Sequence, residues 1–507
     1  MFAALSIMLV AQLIFILLES ARNIEFYKVL KMNTDSVTES MFAEYVSPLW
    51  ENYHILGVTA ADGSGQFSLA NREAMFRKRS KVNMGGSENH LIPDGVSLLT
   101  ADIVDVEFSE YLLMTDQEGK VFQAAVTAYM KHNLTYEMAQ TVYNNYESVK
   151  DSKDEYGDGE ASINGALDAL ESLDESDENT ESRYTLKKAG AGASLKETEQ
   201  GNTQDSDQQN VLTTVVETQK TGILSLVLPE TARVSGSQMN LERVVSHRKL
   251  EQGTGSLRQD DSWYDQVLFH QYLVHYLSSY TDGETHRGLN YELEYLIGGK
   301  SKDDENLKIA VHEILAMREA LNFASLMASG EKQAEALALA TLLAGATVNP
   351  AIIEAVKYGI LAAWAYAESI LDLRTLLQGG KIPMVKSDVE WTSDLDAIPT
   401  LLSGWCTAKS TKTGSSYEDY LGMLLFFHRA ETLSKRAMDV QEATIRRVEG
   451  YEGFRMDCLI CETKVNVTYE YVPVFWGYVT LVEAKPERIG IQRTSQYSYL
   501  SQWSEDT

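Results

Sequence analysis

Cysteine is scarce in this 507-residue chain: Cys406, Cys458 and Cys461 are the three it contains. They are too few for a disulfide framework and too sparse for a structural zinc site. Cations are outnumbered as well, 44 Lys and Arg against 73 Asp and Glu, which leaves a formal net charge of -29 and a pI near 4.7. A surface of that sign repels a phosphate backbone over most of its area, so nucleic acid is not expected as a partner. No Gly-x-Ser-x-Gly occurs, which removes the serine-hydrolase elbow. Long apolar runs are missing after the first 18 residues. Ala336–Val348 and Gly359–Ala367 are nearly all apolar but too short to cross a bilayer, so both read as core helices.

What is present begins at the start. Phe2–Leu18 runs 17 residues without a charge, the lower limit for a helix that crosses a bilayer. Leu5, Leu9, Leu13, Ile16 and Leu17 are the expected anchor residues. A cleaved signal peptide needs a basic segment before the apolar run and small residues at a cut site, whereas Glu19-Ser20-Ala21-Arg22 follows directly. An uncleaved, single-pass anchor is therefore expected. Arg22, Lys28 and Lys31 follow the span and no basic residue precedes it, so the positive-inside rule alone would keep the body in the cytoplasm. A start placed too far downstream would produce the same asymmetry.

The helical pattern continues past the apolar run. Phe26, Leu30, Val37, Met41 and Tyr45 recur at helical spacing with Asn33 as the polar exception, predicting one rod over Phe2–Val46 of roughly 65 Å. Its outer half is expected to pack on its own domain. The next boundaries follow from shifts in composition. Residues 1–47 form the anchor and long helix. Residues 48–149 form a mixed segment, with strands at Tyr53–Thr59 and Ala101–Met114 and a helix at Val121–Val149. Residues 150–210 hold 16 acidic and 6 basic residues and the run AGAGAS, which predicts a disordered acidic insertion. Residues 211–400 form a strand and helical core, and residues 401–507 a long helix followed by antiparallel strands. Within these, Gly222–Leu228 and the alternating Leu289–Leu296 read as strands, and Trp263–Tyr280 and Tyr417–Val448 as helices. Residues 303–377 read as three helices, with Asn349-Pro350 capping one and Gly379-Gly380 ending it. Phe454–Tyr471, Val474–Glu483 and Arg488–Tyr499 read as a meander. The expected fold class is α+β: a long N-terminal membrane helix continuing into a mixed domain with a helical centre and an antiparallel sheet.

Several motifs suggest chemistry. Gly298-Gly299-Lys300-Ser301 resembles a phosphate loop, but the position where that loop needs its first glycine is Glu294, so a glycine turn is expected and no nucleotide. His312-Glu313 opens a zinc-protease pattern that Ala316 breaks. His270 and His275 are five apart on a helix and point to different sides. Cys458 and Cys461 form a CxxC expected on a strand, where residues three apart face opposite ways and share neither a metal nor a disulfide. No metal and no cofactor are expected. Glu368, one turn after Trp364 on an apolar helix, must be paired or neutral. Arg318, which lies on a neighbouring helix with Asn322, and Lys386 are its candidate partners.

These stretches also carry a resemblance. LLESAR (17–22), MFAEY (41–45) before PLWENYHILGV (48–58), GILSLVLP (222–229), NYELEYLIGGK (290–300), MREALN (317–322), AWAYAESILDLRTLLQGGKIPMVK (363–386) and SYEDYLGMLL (416–425) together resemble an uncharacterised bacterial family. Its members are single-span, membrane-anchored proteins grouped with the TadE/TadG-like components of tight-adherence (Flp-type) pilus and secretion systems. The resemblance implies a body outside the cytoplasm on a pseudopilin-like helix and no catalytic residues to carry over. Its partners would be the lipid bilayer and other pilus or secretion components. One departure is clear: pilins carry a glutamate near the beginning of the apolar run, whereas Glu19 ends it here. Two alternatives stay open, a membrane-anchored cell-envelope enzyme and a cytoplasm-facing scaffold.

Overall fold

The computed structural model describes residues 2–62, 65–84, 101–131, 159–174, 210–257, 262–344, 349–475 and 487–500, with isolated positions between 140 and 150. In chain order these residues form α1 (Phe2–Phe42), α2 (Ser47–Tyr53), β1 (Val58–Thr59), α3 (Ala70–Asn83), β2 (Asp102–Leu113), α4 (Asp116–Met130), α5 (Gly159–Asp174), α6 (Asn210–Gln219), α7 (Ile223–Val227) and α8 (Trp263–Tyr276). There follow α9 (Glu292–Gly298), α10 (Asp303–Ala328), α11 (Gly330–Ala344), α12 (Pro350–Leu376), α13 (Ile398–Ser403), α14 (Tyr417–Leu425), α15 (Ala430–Ile445), β3 (Leu459–Tyr471) and β4 (Ile489–Ser498). The fold is α+β, with one antiparallel four-stranded sheet. The chain forms two units, one of residues 1–135, 239–272 and 430–507, the other of residues 136–238 and 273–429, and passes between them four times.

In the first unit β3 is the hub of the sheet, pairing antiparallel with β1, β2 and β4. Alternate residues of β3, from Cys461 through Val465, Val467 and Tyr469 to Tyr471, are buried. Against them pack Phe26, Leu30, Val37 and Met41 of α1, with Phe76, Val106 and Phe108. Asn33, the polar residue on that stripe, donates from Nδ2 to Ser80 Oγ at 2.6 Å and to the Tyr469 hydroxyl at 3.1 Å. The outer half of α1 is thus a core element of its own unit. The rod ends at Phe42 rather than Val46, and Tyr45 is exposed.

The second unit is helical. α12 is buried almost without break from Val356 to Leu376 and packs on α5, α10 and α11. Its start is set by Asn349, whose side chain accepts from the Ala351 amide at 3.1 Å, with Pro350 in the first turn. Its exit turns at Gly379, φ +79°, a backbone state that glycine adopts without strain.

Several expectations are corrected. Residues 159–174 of the supposed acidic insertion form α5, because Ile163 and Ala166 are buried and fall on one helical face. The packing is close: a Cβ at Gly359 of α12 would lie 2.2 Å from that of Ala166. The rest of 150–210 falls mostly outside the described residues. Gly222–Leu228 contains the short helix α7, a short apolar run with no period of its own to decide, and Leu289–Leu296 turns into α9 despite its alternation, because its glutamates are buried along with its apolar residues. Only Val58–Thr59 of Tyr53–Thr59 is strand; Pro48 opens a short helix in front of it. Tyr417–Val448 divides into α14 and α15, breaking where the chain changes unit at 429. β3 starts at Leu459, so Cys458 ends a 3-10 turn instead of lying in a strand. The expected strand Val474–Glu483 lies outside the described residues beyond Phe475.

Candidate functional site

Glu368, Arg318 and Lys386 belong to one cluster in the second unit, completed by Asp372. α12 presents Glu368, Ser369 and Asp372 within two turns. α10 presents Arg318 and Asn322 one turn apart, and the segment leaving α12 supplies Lys386. Lys386 Nζ pairs with both Glu368 Oε1 and Asp372 Oδ1. Arg318 does not reach Glu368. Its Nε donates to Asp372 Oδ2 at 3.0 Å and its Nη2 lies 2.8 Å from the same oxygen, while Nη1 donates to the Pro383 and Met384 carbonyls, each at 3.0 Å, and to the Tyr420 hydroxyl at 2.9 Å. Glu368 also accepts from the amides of Thr392 at 3.1 Å and Ser393 at 2.8 Å. Asn322 bridges Arg318, Ser369 and Asp372.

Two cations and two carboxylates thus balance, and the side chains of all four have no exposed surface. Burial alone would raise the Asp372 carboxyl, but Lys386 and Arg318 outweigh it and hold the group below the ordinary range. A sealed, neutralised set of this kind cannot meet a substrate. What it can do is fasten α10, α12, α14 and the 381–393 segment in one arrangement, since removing any member leaves a buried charge unpaired.

A second set of buried carboxylates lies by a cleft of about 940 Å³ in the same unit, walled by residues 233–237, 280–286, Asn290, Tyr291 and the end of α12. Asp303 accepts from Ser235 Oγ at 2.7 Å and from the amides of Asn290 and Tyr291 at 3.1 and 3.3 Å. Glu294, fully buried on α9, accepts through Oε1 from the Tyr280 amide at 2.9 Å and the Tyr417 hydroxyl at 3.0 Å. Its Oε2 is buried without a hydrogen-bond partner. With no cation beside it among the described residues, burial pushes the Glu294 carboxyl up to about 8. Glu294 stands behind Tyr280 and does not line the cleft. Glu294 was passed over in the sequence as a solvent-facing strand residue, and Asp372 was missed although it follows Glu368 by four on an apolar helix.

The remaining motifs do not assemble into chemistry. Gly299 ends α9 with φ +62° and its amide donates to the Tyr295 carbonyl at 2.8 Å. Asn306 ties both backbone groups of Lys300, accepting from its amide at 2.7 Å and donating to its carbonyl at 2.8 Å. The turn is thus closed on itself. His312 is exposed, His270 is buried with Nδ1 2.7 Å from the Gln266 carbonyl, and His275 is exposed. No metal-competent group of three or more His, Cys, Asp or Glu occurs among the described residues. Cys458 and Cys461 are free buried thiols, both pushed up by burial, Cys458 to about 12.

Outside that unit, Leu5, Leu9, Leu13, Ile16 and Leu17 are all exposed along the first half of α1, between 45 and 61% of their surface. α1 is the one helix among the described residues that is long and apolar enough to cross a membrane. Comparison with curated proteins and with solved structures finds no match. Residues 201–471 do match the model of a family of unknown function, DUF5702. That stretch takes in the sealed ion network, the cleft and the hub strand β3, and it covers more than half of the chain, which therefore belongs to the DUF5702 family.

Proposed function

We propose that this chain is a membrane-anchored, extracytoplasmic structural or accessory component of a pilus-like assembly or secretion system, of the tight-adherence type. The observation that carries the reading is the division of α1. Residues before Glu19 leave large apolar side chains in the open, whereas Phe26, Leu30, Val37 and Met41 are buried in the chain's own sheet core. An exposed leucine-rich rod is stable in hydrocarbon and costly in water. The resemblance of LLESAR, NYELEYLIGGK and AWAYAESILDLR to TadE/TadG-like proteins supports the pilus assignment and an outward-facing body. The sealed state of the ion network suits a part whose work is to hold shape.

Protease treatment of intact cells tests the reading, with the expected outcome that the body is digested while an N-terminal fragment stays with the membrane. Full protection until lysis would instead support a cytoplasm-facing scaffold. Recovery of the full-length chain in the detergent-free soluble fraction would end the anchored reading altogether. Loss of surface filaments on deletion, restored by the intact gene, tests the assembly role.

One observation favours a second reading, a membrane-anchored cell-envelope enzyme. A carboxyl near pKa 8 is protonated at neutral pH, as a general acid must be, and Glu294 stands close behind a polar cleft. Release of soluble fragments from isolated envelopes by the purified protein, abolished by Glu294→Gln, would replace the first reading.

A further inference from the structure

We infer that the turn leaving β3, residues 472–475, lies in the interfacial layer of the bilayer that α1 enters, so that the sheet itself makes a second membrane contact. The inference rests on the anchoring proposed above. Its starting point is the Glu19–Arg22 pair, placed where α1 changes from exposed to buried. Arg22 Nη1 lies 2.7 Å from Glu19 Oε1, and the two side chains are only 5 and 6% exposed. Pairs three apart on a water-facing helix are ordinarily solvated. This one is enclosed. The Arg22 guanidinium sits 5.3 Å from the Phe26 ring and 5.4 Å from that of Tyr471. The chain leaving β3 closes the remaining side: Arg22 Nη2 reaches the Val472 carbonyl at 3.5 Å, and the Phe475 amide donates to Glu19 Oε2 at 2.8 Å.

The Phe475 ring then stacks on Phe15, centroids 6.3 Å apart. Phe15 is one turn inside the apolar run. The turn after β3 therefore reaches past the level at which α1 loses its protein neighbours, alongside side chains whose only suitable surroundings are acyl chains. Lipid is the occupant this geometry fits, because the face formed by Val472 and Phe475 is continuous with the apolar half of α1. The sequence keeps the same character beyond it, with no charge from Val472 to Val482 and with Trp476 and Tyr478 among them, the residue types enriched at the membrane–water boundary. The enclosed ion pair has its reason in the same place, since a carboxylate and a guanidinium at the edge of hydrocarbon persist only when paired and screened from it.

The test uses the full-length protein in phosphatidylcholine–phosphatidylglycerol vesicles, in a Cys406→Ser background that leaves only the two buried native thiols. Val474→Cys carries an environment-sensitive fluorophore, as does Val472→Cys in a second variant. Leu9→Cys and Val389→Cys, the latter at a position 82% exposed, give the lipid and water references. The expected result is several-fold quenching of the 474 and 472 labels by lipids bearing a shallow nitroxide, with iodide quenching several-fold weaker than at 389. Labels at both sites that respond to iodide and ignore the nitroxide overturn the inference. Protection from both quenchers also overturns it, by showing that a second copy or another protein covers the turn. If the Leu9 label too responds to iodide, the anchoring fails along with it; an iodide-protected Leu9 beside a water-exposed 474 removes this inference alone.

Discussion

Asp372 and Glu294 are fully buried carboxyls in the same helical unit, and they end in opposite states. Burial pushes both upward. At Asp372 the push is overcome by Lys386 and Arg318, so the group stays ionised and its charge fastens α10 and the segment carrying Lys386 to α12. At Glu294 the donors are one amide and one phenol, neutral groups whose hydrogen bonds do not offset the lost water, and the carboxyl rises to about 8. Depth alone does not decide whether a buried acid is charged; the sign of its neighbours does.

The largest expected effect breaks the charged side of that contrast. Lys386→Met leaves Glu368 buried without a cation, while Asp372 keeps Arg318, and is expected to cost about 3–5 kcal/mol in urea unfolding; a cost below about 1 kcal/mol would mean the pair is solvated in solution. Next is the alkaline limb of stability. Because Glu294 has a folded pKa of about 8 against 4.5 unfolded, its contribution is full below the unfolded value. It is lost as pH rises through the folded one, by at most about 1.4 kcal/mol per pH unit. Glu294→Gln should flatten this limb when unfolding is followed from pH 5 to 9. Asp372 has the opposite sign. Its pKa is lowered, so its stabilisation is present above the unfolded value of 3.8 and disappears as pH falls through the folded one. Asp372→Asn should flatten the acid limb and leave the alkaline limb in place. The smallest effect sharpens the neutral side: Tyr417→Phe removes a donor to Glu294 and should cost about 1 kcal/mol, with the alkaline loss extended to higher pH.

The contrast also explains what could be read from residues alone. An apolar helix carrying Glu368 demands a cation, and Lys386 follows within one connection, so that half of the network was legible. Asp372 was not, because a carboxylate near the end of a helix is as easily a solvent-facing residue, and only the packing of α10 against α12 tells the two apart. Glu292 and Glu294 were misread for a sharper reason. Their alternation with Leu293 and Tyr295 has the period of a half-exposed strand, yet all four residues are buried, the glutamates holding the 278–280 backbone through Ser278 and Tyr280. α1 was legible from its apolar stripe and α12 from its apolar run and its Asn349-Pro350 cap, because long elements overdetermine themselves. The composition of α5 hid it, since net acidity over 150–210 averages away the apolar face of Ile163 and Ala166.

One feature of α1 reaches beyond the anchoring proposed for it. The helix runs from Phe2 to Phe42 without a break, and its second half shares a core with β3, so no swivel separates the portion assigned to lipid from the sheet. Any lean of the apolar segment in a bilayer is therefore a lean of the sheet by the same angle. On the anchored reading, the tilt of the span thereby sets how the first unit is aimed, and a flexible glycine–serine insert at Ser20 would uncouple the two.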